Sequence, residues 1–164
     1  MIEGETFMEF IRINEQNRSD VRLFFMEQWG SSEMVISTGV YDCAKLDGIL
    51  VKEEQRIVGL ITFEIQGKVC EIVSLDSLIE GKGIGSHLVM EVERIAKGAG
   101  CSEVKLITTN DNLHALGFYQ KRGYMLARLY PNAVELARQR KPSIPLIGKD
   151  GIPIRDEIKL VKSL

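Results

Sequence analysis

The segment Glu80-Gly81-Lys82-Gly83-Ile84-Gly85-Ser86 lies between a hydrophobic stretch and a run of residues with helical spacing. Glycine lacks a Cβ atom, so its backbone can approach a ligand closely. The unpaired N–H groups at the start of a helix, with the helix dipole behind them, bind phosphate oxygens. The segment therefore predicts an anion site where a strand meets a helix. A glycine-rich turn that binds no ligand is the alternative interpretation.

Two known phosphate-binding motifs can be compared with this spacing. A P-loop requires G-x-x-x-x-G-K-[ST], whereas Lys82 is followed by Gly83. A dinucleotide fingerprint requires G-x-G-x-x-G, but counting from Gly81 and Gly83 places Ser86 at the third glycine position. Neither motif is present, and a dinucleotide oxidoreductase is the least favoured enzyme class.

Strand and helix periodicities surround the glycine segment. Alternating apolar residues before it predict three consecutive antiparallel strands, over residues 49–52, 56–65 and 68–76. After it, the spacing of Leu88, Val92 and Ala96 predicts a helix that ends at Gly100. Further periodicity predicts a strand, a helix and a strand over residues 104–109, 110–122 and 124–130.

The two ends of the chain extend this pattern. The first part predicts an edge strand over residues 7–13, a helix capped near Asn17 and ended by Gly30, and an irregular loop or short second helix over residues 31–42. The tail predicts a helix over residues 131–141, a proline-punctuated stretch over 142–153 and a closing strand over 154–161. These elements predict one domain over residues 1–164, an α/β (α+β) fold with a mixed, mostly antiparallel sheet flanked by helices.

Composition restricts the classes of function. Hydrophobic residues make up 45% and charged residues 27% of the 164 residues, which is typical of a soluble globular domain. A net charge of −2 provides no broad basic field for nucleic acid. Residues 1–10 carry three glutamates without a signal-peptide pattern, and the apolar runs are too short to cross a bilayer. We expect a cytoplasmic protein with no nucleic-acid or membrane partner.

Cysteine and histidine usage argues against a metal or a thiol intermediate. Cys43, Cys70 and Cys101 form no C-x-x-C pair, and neither His87 nor His114 has a histidine or cysteine at i+4. No cysteine has an evident histidine partner, so an acyl-cysteine route is disfavoured.

Two stretches together carry a family resemblance. Residues 80–85, followed by Leu88, resemble the Q/R-x-x-G-x-G/A coenzyme A signature of the GCN5-related N-acetyltransferase (GNAT) family, with Glu80 where that family usually has Gln or Arg. Residues 112–119 and Gly123-Tyr124 resemble the second signature, N-x-x-A-x-x-F-Y followed by G-F/Y. The resemblance is good over Ile57 to Tyr130 and covers the rest by element order only.

This resemblance implies the GNAT fold, acetyl-CoA as co-substrate without a metal, and direct acetyl transfer to a primary amine in a ternary complex. It implies that main-chain amides hold the pyrophosphate, namely those of Gly81, Lys82, Gly83, Ile84, Gly85 and Ser86. It also implies that the pantetheine arm runs along the strand near Leu75 and Ser77 and is contacted by Asn112, Ala115 and Phe118. Tyr119 would be the general acid that protonates the departing thiolate; a packed tyrosine with a satisfied hydroxyl is the alternative.

The acceptor amine must lose a proton, and the base is less clearly indicated. Glu71 is the first candidate, because strand alternation places it on the same face as Val73 and Leu75 and opposite to Asp76. A solvated or structural carboxylate is the alternative for Glu71. Weaker candidates for the base are Glu33 and Glu64.

The same resemblance implies that the acceptor lies opposite the coenzyme, between early helices and late loops, which here are Glu27 to Tyr41 and Tyr130 to Pro153. Arg138, Arg140 and Lys141 make the late region basic, which suggests an acceptor that carries a carboxylate or, alternatively, an exposed charged helix face. The acceptor could be a small molecule or a peptide amine. Two alternatives to acetyl transfer stay open: a non-catalytic acetyl-CoA sensor and an enzyme that uses a longer acyl-CoA donor. The sequence does not fix the oligomeric state, although a homodimer is possible for this fold.

Overall fold

Nine strands and four helices form the computed structural model, which describes residues 7–164. The strands are β1 (Met8–Arg12), β2 (Glu33–Ile36), β3 (Gly39–Asp42), β4 (Asp47–Glu53), β5 (Arg56–Gln66), β6 (Val69–Ser77), β7 (Glu103–Thr109), β8 (Met125–Tyr130) and β9 (Glu157–Ser163). The helices are α1 (Arg18–Trp29), α2 (Ile84–Gly98), α3 (Leu113–Lys121) and α4 (Ala133–Arg140).

Seven strands make one sheet in the order β1-β4-β5-β6-β7-β9-β8, and β2 and β3 form a separate hairpin. Five of the six pairings in the large sheet are antiparallel, and β6 with β7 is the parallel one. This confirms the predicted mixed, mostly antiparallel sheet, including three consecutive antiparallel strands before the glycine segment and an edge strand at the start.

Helices cover both faces of the sheet. Apolar residues of α2, such as Leu88, Val89 and Val92, pack with β5, β6 and β7 in the larger core, which also takes in Tyr119 from α3. Helix α1 places Val21, Phe24 and Phe25 in a second core on the opposite face. Both faces of β5 are therefore buried, which explains its nearly continuous apolar sequence. None of the helices described within residues 7–164 has the length and apolar character needed to cross a membrane.

A β-bulge in β6 alters which side chains share a face. Thr62 of β5 pairs with Ser74, but the next residue, Phe63, pairs with Ile72, so Val73 is the extra residue. Strict alternation therefore breaks at this point. Val73 packs in the core beneath α1, whereas Leu75 packs against the core beneath α2. The prediction that Glu71 and Val73 share a face with Leu75, opposite to Asp76, is wrong.

The prediction of an irregular loop or a short helix over residues 31–42 is also wrong. They form the hairpin β2–β3, in which Ile36 pairs with Gly39 across a two-residue turn. The segment carries β-branched residues on both arms, but Ser37-Thr38 is not one of the usual hairpin turn pairs, so the signal for the turn was weak.

The closing strand begins three residues later than predicted. Asn110 holds the chain just before β9, because its Oδ1 accepts hydrogen bonds from the main-chain N–H groups of Arg155 and Asp156, each at 3.0 Å. Strand β9 then inserts between β7 and β8. Such long-range side-chain contacts leave no periodic trace in the sequence.

Candidate active site

A cleft opens in the sheet between β6 and β7. The two strands pair only from Val69 to Ile72 on β6 and from Glu103 to Leu106 on β7. Beyond this point β6 continues unpaired on that side to Ser77, while β7 continues with β9. The main chain of residues 73–77 therefore presents free hydrogen-bonding groups to the cleft.

The glycine segment lies directly after the cleft edge of β6. Gly81 and Gly83 have φ values of 77° and 69°, in the left-handed region, and a Cβ on either would meet nothing within 4 Å. Gly83 is the N-cap of α2 and provides no side-chain hydrogen bond to the helix. The first N–H groups of α2, those of Ile84, Gly85 and Ser86, thus emerge at an open, glycine-lined surface.

Gly85 allows α2 and α3 to approach each other closely. A Cβ built on Gly85 would lie 3.2 Å from Cζ of Phe118 and 4.0 Å from Cδ2 of Leu75. The predicted pantetheine neighbours Leu75 and Phe118 are therefore brought together at the first turn of α2. Ala115 packs against the same core. Ile84 turns inward and is buried.

Three other predicted residues have partners within the chain. Nζ of Lys82 lies 3.6 Å from Oε1 of Glu53, so its charge is directed toward the β4–β5 hairpin. The hydroxyl of Ser77 donates to the carbonyl oxygen of Ile79 at 3.1 Å. Oδ1 of Asn112 accepts from the main-chain N–H of Ala115 and so caps α3, which leaves its amide NH₂ for other partners.

Tyr119 lies in the larger core with 6% of its surface exposed. Its ring packs edge-on against Phe118 at 5.0 Å and Tyr124 at 5.4 Å between ring centroids. Burial raises the pKa of Tyr119 above its ordinary value of 10.0; the charge of Arg122 opposes this rise and Asp76 adds to it. The phenol therefore keeps its proton at neutral pH.

Asp76 is a carboxylate that sequence reasoning did not select. It lies on the unpaired part of β6, and its Oδ1 accepts a hydrogen bond from the Trp29 indole at 3.1 Å. Its Oδ2 is buried without a hydrogen-bond partner among residues 7–164. Burial raises the pKa of Asp76 to about 6, and the bond from Trp29 acts in the opposite direction. The wrong alternation across the bulge concealed this residue.

Glu71 is held beneath the β2–β3 hairpin and is only 5% exposed. Its Oε1 accepts hydrogen bonds from the hydroxyls of Tyr41 at 2.6 Å and Thr38 at 3.1 Å. Its Oε2 lies 3.9 Å from Nζ of Lys105. The weaker candidates also have partners: Glu33 lies 3.5 Å from Arg140, and Glu64 accepts from Gln66 at 3.3 Å.

The side chain of Arg122 extends from the end of α3 to the first turn of α2. Its Nε donates to the Ser86 hydroxyl at 2.9 Å, and its Nη2 contacts the same oxygen. Its guanidinium carbon lies 3.5 Å from the centroid of the Phe118 ring. Arg122 precedes the Gly123-Tyr124 signature, but nothing in its local sequence indicates that it reaches Ser86.

The basic residues of α4 bind their own chain. Arg138 donates to the carbonyl oxygens of Ile144, Pro145 and Ile154 and also pairs with Glu135. Nζ of Lys141 donates to the main-chain oxygen of Glu33 at 2.7 Å. These contacts hold the proline-rich tail and the β2–β3 hairpin in place. Arg138 and Lys141 therefore form neither a free basic patch nor a simple solvent-exposed helix face.

Cys43, Cys70 and Cys101 are buried and form no disulfide within the described residues. Burial raises the pKa of Cys43 to about 11 and that of Cys70 to about 12. Both side chains are therefore thiols at neutral pH, and thiols are poor nucleophiles.

Comparison with known proteins agrees with this geometry. The model of the Acetyltransferase (GNAT) family matches residues 14–124. The chain belongs to this family. It is 54% identical over 145 residues to the uncharacterized protein YxbD of Bacillus subtilis (strain 168), covering 88% of this chain and 91% of that protein.

Solved structures confirm the predicted GNAT fold. An IAA acetyltransferase from Bacillus cereus ATCC 14579 has a TM-score of 0.72 at 22% identity, covering 96% of this chain and 100% of that one. A GNAT family acetyltransferase from Elizabethkingia anophelis, solved with acetyl-CoA bound, has a TM-score of 0.69 at 19% identity, covering 96% and 98%.

Proposed function

We propose that this GNAT protein transfers an acetyl group from acetyl-CoA to the primary amine of an acceptor. The observation that carries this proposal is the cleft between β6 and β7, which leads to the uncapped start of α2. Residues 73–77 of β6 can pair with an extended amide chain as an added strand would, which suits the two amides of pantetheine. The acetyl-CoA bound by the Elizabethkingia anophelis relative supports the same donor on this fold.

The glycine segment fits the diphosphate of coenzyme A. Gly81 and Gly83 leave the space in front of the helix start open, and a side chain at either position would be strained at positive φ. The N–H groups of Ile84, Gly85 and Ser86 would donate to phosphate oxygens, favoured by the helix dipole. Leu75, Ala115 and Phe118 would contact the pantetheine arm, and the free NH₂ of Asn112 would donate to one of its carbonyls.

When acetyl-CoA is bound, its thioester supplies the acetyl group and coenzyme A departs as a thiolate. Tyr119 is the proposed proton donor to that sulfur, because its buried phenol is protonated at neutral pH. A donor must lie within hydrogen-bond reach of the sulfur, so the role is tested by removing the hydroxyl and leaving the ring.

We favour Asp76 as the proton acceptor for the incoming amine. Its free Oδ2, its pKa of about 6 and its position on the unpaired part of β6 suit a general base near neutral pH. Glu71 stays a prediction: its Oε1 accepts a hydrogen bond from Tyr41, and its Oε2, which has no hydrogen-bond partner within residues 7–164, lies 3.9 Å from Nζ of Lys105. Glu71 is less favoured because it lies on the part of β6 that pairs with β7, before the cleft begins. Variants of the two carboxylates distinguish them.

The acceptor is proposed only as an amine, on a small molecule or a peptide. We do not propose selection of a carboxylate by Arg138 or Lys141, because their charged groups are already used within the chain.

Calorimetric titration with acetyl-CoA, beside NADH and ATP, tests the donor site. We expect selective binding of acetyl-CoA that is lost in Gly83→Val, where φ is 69°, and retained in Gly98→Ala, whose Cβ would meet nothing within 4 Å. Release of free thiol with a panel of amines then tests transfer. Folded protein that does not bind acetyl-CoA would refute the proposal. Binding without turnover of any amine would favour a non-catalytic acetyl-CoA sensor. Faster turnover with longer acyl-CoA donors would show that the transferred group is a longer acyl chain and not acetyl.

A further inference from the structure

We propose that Arg122 supplies the positive charge that binds the diphosphate of coenzyme A. This inference rests on the proposed function, because it assumes that the glycine segment and the start of α2 receive that diphosphate. It adds a specific side chain to a site that the sequence analysis assigned to main-chain amides.

The position of the guanidinium is fixed from two sides. Nε donates to the Ser86 hydroxyl at 2.9 Å, and Nη1 donates to the carbonyl oxygen of Phe118 at 2.7 Å. The guanidinium carbon also lies over the Phe118 ring, 3.5 Å from its centroid. Because Ser86 is the third residue of α2, this places the cation beside the first N–H groups of the helix. An arginine ordered in this way loses little further entropy on binding an anion.

Donors remain for a phosphate group. A guanidinium has five N–H donors, and the contacts to Ser86 and Phe118 use about three of them. The Ser86 oxygen accepts from Arg122, so its own hydroxyl hydrogen is free to donate elsewhere. Arg122 and Ser86 together therefore offer charged and neutral donors on one side of the helix start.

The balance of charge around the segment favours such a cation. A diphosphate diester carries two negative charges, whereas a helix start contributes roughly half a positive charge. Glu80 adds a negative charge, and Lys82 is paired with Glu53 at 3.6 Å. Arg122, by contrast, forms no ion pair with a carboxylate anywhere in the described chain, residues 7–164. Its charge is available to an incoming anion.

The test compares two ligands in calorimetric titrations: acetyl-CoA, and S-acetylpantetheine, which lacks the diphosphate together with the 3′-phosphoadenosine attached to it. Arg122→Met keeps most of the side-chain length and removes the charge, and Arg122→Lys keeps the charge without the fork. Arg128→Met is the matched control, because Arg128 also stacks on an aromatic ring, that of Tyr130 at 4.6 Å, but lies on β8.

We expect Arg122→Met to weaken acetyl-CoA binding by about 10- to 100-fold, the range for hydrogen bonds to a charged group. Its binding should also become less sensitive to salt. Arg122→Lys should lie between Arg122→Met and wild type, and Arg128→Met should match wild type. Binding of S-acetylpantetheine should not change in any variant.

The outcomes separate this inference from the proposed function. Wild-type protein that fails to bind acetyl-CoA would refute the proposed function itself. Tight wild-type binding with an unchanged affinity and salt dependence in Arg122→Met would overturn the role of Arg122 alone. Equal weakening of both ligands, with a lowered unfolding temperature, would assign Arg122 a packing role between α2 and α3 and would also overturn the inference.

Discussion

Replacement of Asp76 by asparagine is expected to make the protein more stable and less active at neutral pH. Asparagine has nearly the same shape as aspartate and can still accept the hydrogen bond from the Trp29 indole. It removes the buried negative charge, whose Oδ2 has no hydrogen-bond partner within the described residues. The ionised Asp76 carboxylate therefore lowers the free energy of unfolding, and a residue that lowers stability in this way is expected at a functional position.

The size of this cost follows from the pKa of Asp76, which burial raises from 3.8 to about 6. The folded state binds the proton more tightly than the unfolded state, so the free energy of unfolding falls as pH rises between these values. The penalty is absent below pH 3.8 and complete above about pH 6. A difference of about two units corresponds to roughly 3 kcal/mol, which is an upper value for the gain in Asp76→Asn at neutral pH.

Urea unfolding of wild type and Asp76→Asn at pH 4, 6 and 7.5 measures this effect. We expect the two proteins to converge at the lowest pH and Asp76→Asn to be more stable at the highest. Asp47→Asn is a control of opposite sign, because the hydrogen bond from Arg12 lowers the pKa of Asp47. That variant should be less stable than wild type at pH 7.5 and approach it as pH falls.

Turnover completes the test. Loss of a general base typically lowers kcat by a factor of about 10² or more and removes the acid limb of the pH–rate profile near pH 6. Asp76→Asn that is no more stable than wild type at pH 7.5 would refute the reasoning about burial. An unchanged kcat and pH profile would refute the role of Asp76 as the base.

The other predictions concern the remaining site residues. Tyr119→Phe should lower kcat by about 10²-fold or more while calorimetry gives an unchanged affinity for acetyl-CoA; an unchanged kcat would leave Tyr119 as a packing residue. Gly85→Ala should have a free energy of unfolding in urea about 1–3 kcal/mol lower than that of Gly98→Ala, because its Cβ would lie 3.2 Å from the Phe118 ring. Equal stability of the two variants would show that the Phe118 side chain can move aside without a cost in stability. Glu71→Gln should keep the acid limb of the pH–rate profile, and loss of that limb would restore Glu71 as the base.

Sequence alone was sufficient for the family, the fold class and most elements. Helix α2 has a clear 3.6-residue period and follows a glycine segment whose spacing excluded a P-loop and a dinucleotide fingerprint. Each of these signals is local, because helix periodicity, positive φ and strand alternation depend on residues near one another in the chain. The coenzyme signature at residues 80–85 and the second signature around Tyr119 are also local, so they could be identified without coordinates.

Only the tertiary structure could show which side chains lie around these signatures. The bulge at Val73 placed Asp76 rather than Leu75 on the α1 face, and a one-residue irregularity of this kind reverses every later side chain in a strand. The contact between Arg122 and Ser86 joins residues 36 positions apart, and the bond from Trp29 to Asp76 joins residues 47 apart. Burial, charge pairing and pKa arise from such distant neighbours, and a linear pattern carries no record of them.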